Sequence, residues 1–253
     1  MGVRLFLTGR ICLEVDGTVA VDEGQFKGRQ GRLAFVYLAA ERSRPIPREE
    51  LANVLWPDDM APTWEASMNS LVSKLRGLMI SKSLRNRGLD LVSGAGQYRL
   101  RLPPDGWIDL EAAASAVDQA EGALRAGEPQ RVLGPATVAA SICRRPLLSG
   151  VQGEWIDLQR MKLQRQLVRA LDCLSNMGLA IDEPNIAVEA SLEAVALDPY
   201  RERSYLLLMR AHMANGNGAE ALNAYHRLRK TLEDDLATSP TAELEATYRE
   251  LLR

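Results

Sequence analysis

Histidine and cysteine are scarce in this chain of 253 residues, which contains two histidines and three cysteines. Cys12, Cys143 and Cys173 lie far apart and form no C-x-x-C pair, so neither a disulfide framework nor a cysteine-built zinc site is indicated. His212 and His226 fall in segments with a helical pattern, where packing or surface roles are commoner than metal binding or catalysis. We therefore expect the cysteines to be buried apolar fillers, and we expect the protein to bind no metal or cofactor.

Motifs of common enzymes are also missing. H-E-x-x-H, G-x-S-x-G and G-x-x-x-x-G-K-[ST] do not occur, and the acidic run Glu233-Asp234-Asp235 is better explained as a solvated helix end than as an acid–base pair. We expect the protein not to be an enzyme. No run approaches about eighteen uninterrupted apolar residues, and the first residues lack the pattern of a signal peptide, so a cytoplasmic protein without a membrane partner is expected.

The composition is that of a globular protein, with 46% hydrophobic and 25% charged residues, and the length favours two domains. The net charge of −2 is unevenly distributed. Residues 1–102 contain 15 Lys or Arg and 11 Asp or Glu, a net charge of +4, whereas residues 103–253 contain 16 and 22, a net charge of −6. A mildly basic first part is compatible with phosphate contact by that part only.

The chain begins with apolar residues at a period of two, which predicts a small antiparallel sheet. The alternating sets are Val3, Leu5 and Leu7, then Ile11, Leu13 and Val15, then Val19 and Val21. From Arg29 the period becomes that of a helix, which should end before Pro45. A second helix is predicted over Arg48–Trp56, between Pro47 and Pro57.

The stretch from Thr63 to Met79 has the pattern that bears most directly on function. Its apolar residues form a stripe that a helix would bury, namely Met68, Leu71, Val72, Leu75 and Met79, and the other side is a ridge of Ser67, Ser70, Lys74 and Gly77. A hairpin is predicted over Leu89–Leu100, where two apolar runs flank Gly94 and Gly96. A polar-ridged helix beside a glycine-tipped hairpin is typical of a winged helix that binds the DNA major groove.

After Pro103-Pro104 the composition shifts to alanine, leucine and acidic residues, so we place a domain boundary there, with domains 1–102 and 103–253. The second domain is predicted to be entirely helical, over 109–125, 130–142, 154–176 (ending at Gly178), 183–197, 202–214, 219–236 and 242–252. Ala187, Ser191, Ala194 and Pro199 match half of a tetratricopeptide unit, and Ala221, Tyr225 and Leu228 follow at its period of about 34 residues.

Several segments, in order, resemble the OmpR-type winged helix of Streptomyces antibiotic regulatory proteins. They are RQGRLAFVYLAAERSRPIPREELANVLWP, then VSKLRG, then YRL at the hairpin. The stretch from Leu197 to Leu251 resembles the bacterial transcriptional activator domain that follows the winged helix in that family. The resemblance implies a mainly α fold with a small β component, in which an N-terminal winged helix-turn-helix precedes an all-α, tetratricopeptide-like domain.

The implied function is that of a sequence-specific activator that binds direct repeats in promoter DNA and contacts RNA polymerase, often through its sigma factor. Five expected DNA contacts lie on the third helix: Asn69, Ser70, Ser73, Lys74 and Arg76. Lys74 is long enough to reach a base edge or a phosphate. Arg76 aligns with the second basic residue of V-S-[KR]-L-R, which meets phosphate in the wider family, and the short side chains could equally be neutral surface.

Four more arginines are candidates: Arg48, Arg85, Arg87 and Arg99. Arg48 begins the second helix, whose N-terminal amides favour phosphate. Arg85 and Arg87 precede the hairpin, and Arg99 points away from Tyr98 by strand alternation; for these three, ordinary solvation is the alternative. Gly77, Ser93 and Gln97 depart from the family pattern, and the first two remove positive charge.

A second interpretation stays open for the whole chain. The winged helix could be a scaffold in a protein-interaction or effector-sensing module, because alanine-rich helical repeats can hold a peptide or a small effector. Arg144 and Arg145 would suit an anionic ligand, although solvated arginines explain them as well. The alanine-rich helices could also support self-association on DNA.

Overall fold

The computed structural model describes residues 2–57, 62–81 and 84–252, which form two compact units. The first unit contains the chain up to Ala112 and the segment Arg145–Lys162, and the second contains Ala113–Arg144 and the residues from Leu163 onward. Segment 145–162 belongs to the first unit because Gly9 N donates to Pro146 O at 2.7 Å and the Trp155 ring packs on Tyr37, with 4.8 Å between centroids. A single cut after residue 102 does not describe this return of the chain.

The first unit has two small sheets, and three of its helices are followed by a hairpin, as in a winged helix. Its elements are β1 (Val3–Phe6), β2 (Cys12–Val15), β3 (Thr18–Val21), α1 (Gly28–Ala40), β4 (Ile46–Pro47), α2 (Arg48–Leu55), α3 (Trp64–Ser81), β5 (Asp90–Gly94), β6 (Gln97–Arg101) and β7 (Trp107–Ile108). One sheet has the order β3-β2-β1-β7, antiparallel except for the β1–β7 pair, and the other has the order β4-β6-β5. The three predicted N-terminal strands are confirmed, whereas β4 and β7 were not expected.

The apolar stripe of α3 is buried as the sequence predicted. Met68, Leu71, Val72, Leu75 and Met79 are each at most 8% exposed. They share the core of the unit with the apolar side of α1, which includes Leu33, Phe35, Val36 and Leu38. Because this stripe fixes the rotation of α3 about its axis, the polar ridge must face solvent.

A buried carboxylate ties β1 to the end of β7. One oxygen of Asp109 accepts hydrogen bonds from the backbone N–H of Leu7 and of Thr8, both at 2.9 Å, and from the Thr8 hydroxyl at 2.8 Å. Asp109 is fully buried, and this burial raises the pKa of its carboxyl group against the lowering effect of these hydrogen bonds. These three hydrogen bonds hold Leu7 and Thr8, which directly follow β1, next to Asp109, which directly follows the short parallel strand β7.

The second unit contains helices and no strands in its described residues. It is built from α4 (Asp109–Arg125), α5 (Leu133–Cys143), α6 (Glu154–Ala180), α7 (Pro184–Leu197), α8 (Glu202–Ala214), α9 (Gly218–Leu236) and α10 (Ala242–Leu251); the first turns of α4 and α6 belong to the first unit. Successive helices α7, α8 and α9 pack on one another, and the repeat positions Ala187, Ser191, Ala194, Ala221, Tyr225 and Leu228 are all buried. The mainly α fold class with a small β component is confirmed.

Helix α6 is longer than the sequence predicted, and the end assigned to Gly178 was wrong. The helix continues to Ala180, with Gly178 in its last turn. A Cβ atom at Gly178 would lie 2.9 Å from the carbonyl oxygen of Glu183 and 2.9 Å from the backbone nitrogen of Ala187. Glycine is therefore required here for the close approach of α6 to the start of α7, rather than for ending the helix.

We predict that Gly178→Ala destabilises the protein although alanine favours a helix. The propensity gain is about 1 kcal/mol, and the overlap with backbone atoms costs about 1–3 kcal/mol, so the free energy of unfolding should fall by about 1 kcal/mol. Gly122→Ala is the matched control, because it lies inside α4 and its Cβ would meet only an Arg125 nitrogen at 3.9 Å. Urea unfolding should show opposite signs for the two variants; equal stabilisation by both would contradict the packing role of Gly178.

Candidate nucleic-acid interface

The solvent side of α3 presents four of the predicted DNA contacts. Asn69, Ser70, Ser73 and Lys74 are all exposed, on the side of the helix opposite its buried stripe. Lys74 has no hydrogen bond or ion pair to any residue in the described ranges. Its ammonium group is therefore available to an external partner.

The hairpin beside α3 ends in a tight turn without charge. Strands β5 and β6 are paired from Asp90 with Arg101 to Gly94 with Gln97, which leaves Ala95 and Gly96 as a two-residue turn. Both turn residues have positive φ, 49° and 72°, as the favoured two-residue hairpin turns require. Residues 93–97 are exposed and contain no basic side chain, so the tip can offer backbone and small polar groups to a phosphate but no full charge.

Arg48 links α2, α3 and the hairpin tip. Its backbone N–H donates to Gly96 O at 3.1 Å, and its Nη2 donates to Asn69 Oδ1 at 3.1 Å. The guanidinium carbon lies 5.9 Å from the centre of the Trp64 ring, within the range of a cation–π contact. The Nε atom of Arg48 is buried and has no hydrogen-bond partner among the described residues. Arg48 is thus held in place at the site while retaining an unused donor.

These contacts frame a cleft of about 470 Å³ between α3 and the hairpin. The cleft is lined by Arg48, Asn69, Val72, Ser73, Arg76 and residues 93–98. Arg76 is half-buried, and its Nε donates to Leu91 O of β5 at 2.9 Å. Two arginines and the N–H-bearing turn of the hairpin therefore surround one cleft next to the exposed ridge of α3, an arrangement suited to an anionic backbone.

The other three predicted arginines bind acceptors within the first unit. Arg85 pairs with Asp90 at 3.2 Å and Arg87 with Asp16 at 3.0 Å, and both arginine side chains are more than half exposed. Surface pairs of this kind contribute little to stability, so a phosphate could compete for either arginine. Arg99 instead donates from Nε to Arg42 O at 3.3 Å and from Nη2 to Ser43 O at 3.2 Å. Its guanidinium fastens β6 to the connection that follows α1.

The sequence could not reveal the part that Trp64 and the Gly96 carbonyl play in the site. A tryptophan at a helix start indicates packing, but not that a guanidinium stacks on its ring. The role of the Gly96 carbonyl cannot be predicted from residue type, because every residue has a backbone carbonyl group. The adjacency of Arg48 and Asn69 could have been inferred only from the helix-turn-helix pattern, which places the start of α2 near α3.

The two arginines of the possible anion site, Arg144 and Arg145, belong to different units. Arg144, in the second unit, forms a two-pronged ion pair with Glu193, with N–O distances of 2.8 and 2.6 Å. Arg145 belongs to the first unit, where its side chain lies beside Gly9. Within the described residues there is no group of three or more His, Cys, Asp or Glu side chains that could hold a metal ion, and no helix long and apolar enough to cross a membrane.

The family model of the bacterial transcriptional activator domain matches residues 108–252, more than half of the protein. The chain therefore belongs to the bacterial transcriptional activator domain family. With the winged helix in front of this domain, the likeness to SARP-type regulators that the sequence indicated is confirmed.

Curated relatives extend the likeness over nearly the whole chain. The transcriptional regulatory protein EmbR of Mycobacterium tuberculosis is 28% identical over 249 residues, which cover 98% of this chain and 62% of EmbR. The regulatory protein AfsR of Streptomyces coelicolor is 28% identical over 88% of this chain but only 22% of AfsR, and the transcriptional regulator RedD of the same species is 26% identical over 95% and 71%. The chain thus spans about 62% of the length of EmbR.

A solved structure shows the same fold. Mycobacterium tuberculosis EmbR, in complex with a low-affinity phosphopeptide, superimposes with a TM-score of 0.87 and 25% identity, over 99% of this chain and 65% of the EmbR chain. The winged-helix and helical-repeat elements described above are therefore shared with a protein named as a transcriptional regulator.

We predict that Arg99→Ala lowers stability, because it removes two side-chain hydrogen bonds to the 42–43 connection. Since these bonds are exposed, the expected loss in the free energy of unfolding is about 1 kcal/mol. Arg101→Ala is the matched control on the same exposed face of β6 and should change stability by less than about 0.5 kcal/mol. Equal urea midpoints for Arg99→Ala and the parent protein would contradict a structural role for Arg99.

Proposed function

We propose that this protein is a transcriptional activator that binds a specific sequence of double-stranded DNA, with α3 in the major groove and the hairpin on the backbone. The observation that carries the proposal is the exposed ridge of Asn69, Ser70, Ser73 and Lys74 beside a cleft lined by Arg48 and Arg76. The B-DNA major groove is about 12 Å wide and accepts a helix of about 10–12 Å diameter.

Base reading falls to the ridge residues. Lys74 can donate to guanine O6 or N7, and Ser70 and Ser73 can donate or accept at shorter range. The Oδ1 of Asn69 already accepts one hydrogen bond from Arg48, which leaves its second lone pair and the two Nδ2 donors for a base.

Phosphate binding falls to the cleft. Arg48 and Arg76 line it, and the backbone of residues 93–97 closes it on the hairpin side. Arg85 and Arg87 can add contacts by exchanging their surface carboxylates for phosphates. If Arg48 and Arg76 are the main phosphate contacts, each bound copy neutralises about two phosphates, which gives a log–log salt slope of about −2.

The activator part of the proposal depends on the relatives, which are named transcriptional regulators. We propose, from the family resemblance, that the sites are direct repeats in promoters occupied by copies of the protein side by side, and that the protein contacts RNA polymerase holoenzyme, including its sigma factor. The helical second unit is the candidate for that contact or for regulation.

A scaffold role for the winged helix is the competing function, favoured by the uncharged hairpin tip and by the internal hydrogen bonds of Arg99. In that case the protein would bind another protein or a small effector, and its affinity for DNA would be low and without sequence preference. The two functions make opposite predictions for a selection experiment.

The test is selection of bound duplexes from a random library with the purified protein, followed by titration of the enriched sequence at several salt concentrations. We expect a repeated short motif, and we expect Lys74→Ala to weaken binding to it by about tenfold, because the substitution removes a contact to a base edge. The helical content should not change, because Lys74 has no partner within the described residues.

Lys230→Ala serves as the control, because it removes an exposed lysine of α9 in the second unit. Its affinity for the enriched duplex should equal that of the parent protein. Absence of an enriched motif, together with a flat salt dependence, would contradict the proposed function and favour the scaffold.

A further inference from the structure

Helices α4, α6, α8 and α10 line a groove in the second unit, and the proposed DNA-binding function gives this groove no role. It consists of two adjoining cavities of about 330 and 470 Å³, which share Asn176 and Arg203. On α6 the lining residues are Arg169, Asp172, Cys173 and Asn176, and on α8 they are Glu202, Arg203, Leu206, Leu207 and Arg210. In both helices these residues have the spacing of a single helix face, so one face of α6 and one face of α8 line the same groove.

This arginine groove, defined by Arg125, Arg169, Arg201, Arg203 and Arg210, has three arginines that donate hydrogen bonds to carboxylates. Arg169 binds both oxygens of Glu121 at 2.8 Å and also contacts Asp118 at 3.0 Å. Arg201 binds one oxygen of Asp172 through two nitrogens, and Arg210 pairs with Glu243 at 3.1 Å. These pairs build the walls of the groove.

The remaining two arginines have unused donors. Arg203 lies 3.9 Å from Asp172, whose oxygens already accept hydrogen bonds from Arg201 and from the Ser204 hydroxyl. Arg125 lies 3.8 Å from Glu121, both of whose oxygens are occupied by Arg169. The side chains of Arg125 and Arg203 are 72% and 64% exposed, and neither makes a hydrogen bond to a residue in the described ranges. Two guanidinium groups at one cavity thus lack a carboxylate of their own.

Apolar groups lie next to this charge. The first cavity includes Leu124 and Cys173, and burial raises the pKa of the Cys173 thiol to about 12, so the thiol is neutral. The second cavity includes Leu206, Leu207 and Leu244, together with Glu202, which accepts a hydrogen bond from Thr241 N, and Glu243, which accepts one from Arg210. A ligand that fills both cavities can therefore place an anionic group at Arg125 and Arg203 and an apolar group against the leucines of the second cavity.

We propose that the arginine groove binds an extended acidic peptide segment of a partner protein. A carboxylate of the peptide binds Arg125 and Arg203, and a neighbouring apolar side chain enters the second cavity over Leu206, Leu207 and Leu244. Guanidinium forks match carboxylates in two-pronged hydrogen bonds, and the groove crosses from α6 to α10 over about two interhelical spacings of 8–10 Å. About six extended residues cover that distance, whereas a small anion would occupy the first cavity alone.

The test measures fluorescence anisotropy of labelled peptides with the full chain in the absence of DNA. The first probe is a peptide of about eight residues in which glutamate alternates with leucine, a length that spans the groove. The second has glutamine in place of every glutamate, and unlabelled inorganic phosphate is the competitor. We expect saturable binding of the acidic peptide only, with phosphate competing weakly.

Arg203→Gln and Arg125→Gln should each weaken binding of the acidic peptide by about tenfold, because each removes a charge-assisted hydrogen bond. Arg229→Gln, an exposed arginine of α9 that does not line either cavity, should bind the peptide as the parent protein does. Circular dichroism of the exposed-site variants should match the parent.

Three outcomes would overturn the proposal. Equal losses for Arg203→Gln and Arg229→Gln would show nonspecific charge attraction, equal binding of the acidic and glutamine peptides would remove the role of the arginines, and tight binding of phosphate without peptide binding would indicate a small-anion site. The result is independent of DNA binding, because Arg125 and Arg203 lie in the second unit and the selected duplex should bind both variants unchanged.

Discussion

The contacts of Arg48 are the constraint on which the DNA-facing side of the first unit depends. Its backbone N–H donates a hydrogen bond to the hairpin tip. Its side chain donates a hydrogen bond to Asn69 of α3 and lies near the ring of Trp64 at the start of α3. The guanidinium is always charged and carries several N–H donors in a fixed plane, so it can lie near the ring and donate to the Asn69 amide oxygen at the same time. The cleft between α3 and the hairpin has a defined width because these three contacts converge.

Much of the positive charge near this cleft serves the fold. Arg99 holds the 42–43 connection, Arg76 donates to β5, and Arg85 and Arg87 are paired at the surface. With an uncharged hairpin tip and Gly77 on the ridge, few full charges remain for phosphate. Nonspecific affinity should therefore be modest, and recognition should depend on the shape of the cleft and on the ridge of α3 more than on general attraction to DNA.

Arginines of the second unit are also used within the fold. Three of the five arginines of the arginine groove are bound by carboxylates of the same unit.

Periodicity predicted the elements that bury an apolar face. The stripe from Met68 to Met79, the first three strands and the hairpin follow directly from it, because burial requires those spacings. The strands β4 and β7 are two residues long and carry no period, and the return of residues 145–162 to the first unit depends on pairing with Thr8 and Gly9, far away in sequence. Gly178 resembled a helix end because glycine is typical there, whereas its actual role is contact with a neighbouring backbone. The sequence allowed candidate site residues to be proposed from charge and helical position, but it did not indicate the carbonyl and ring partners that these residues contact.

Chemical protection of the selected duplex tests the central claim, that α3 lies in the major groove, most directly. Methylation by dimethyl sulfate attacks guanine N7 in the major groove and adenine N3 in the minor groove, so it separates the two. We expect bound protein to protect guanine N7 within the enriched motif and to leave adenine N3 at the same positions reactive, with the N7 protection weakened in the Lys74→Ala variant. Unchanged N7 methylation under saturating wild-type protein, or protection confined to adenine N3, would contradict the account.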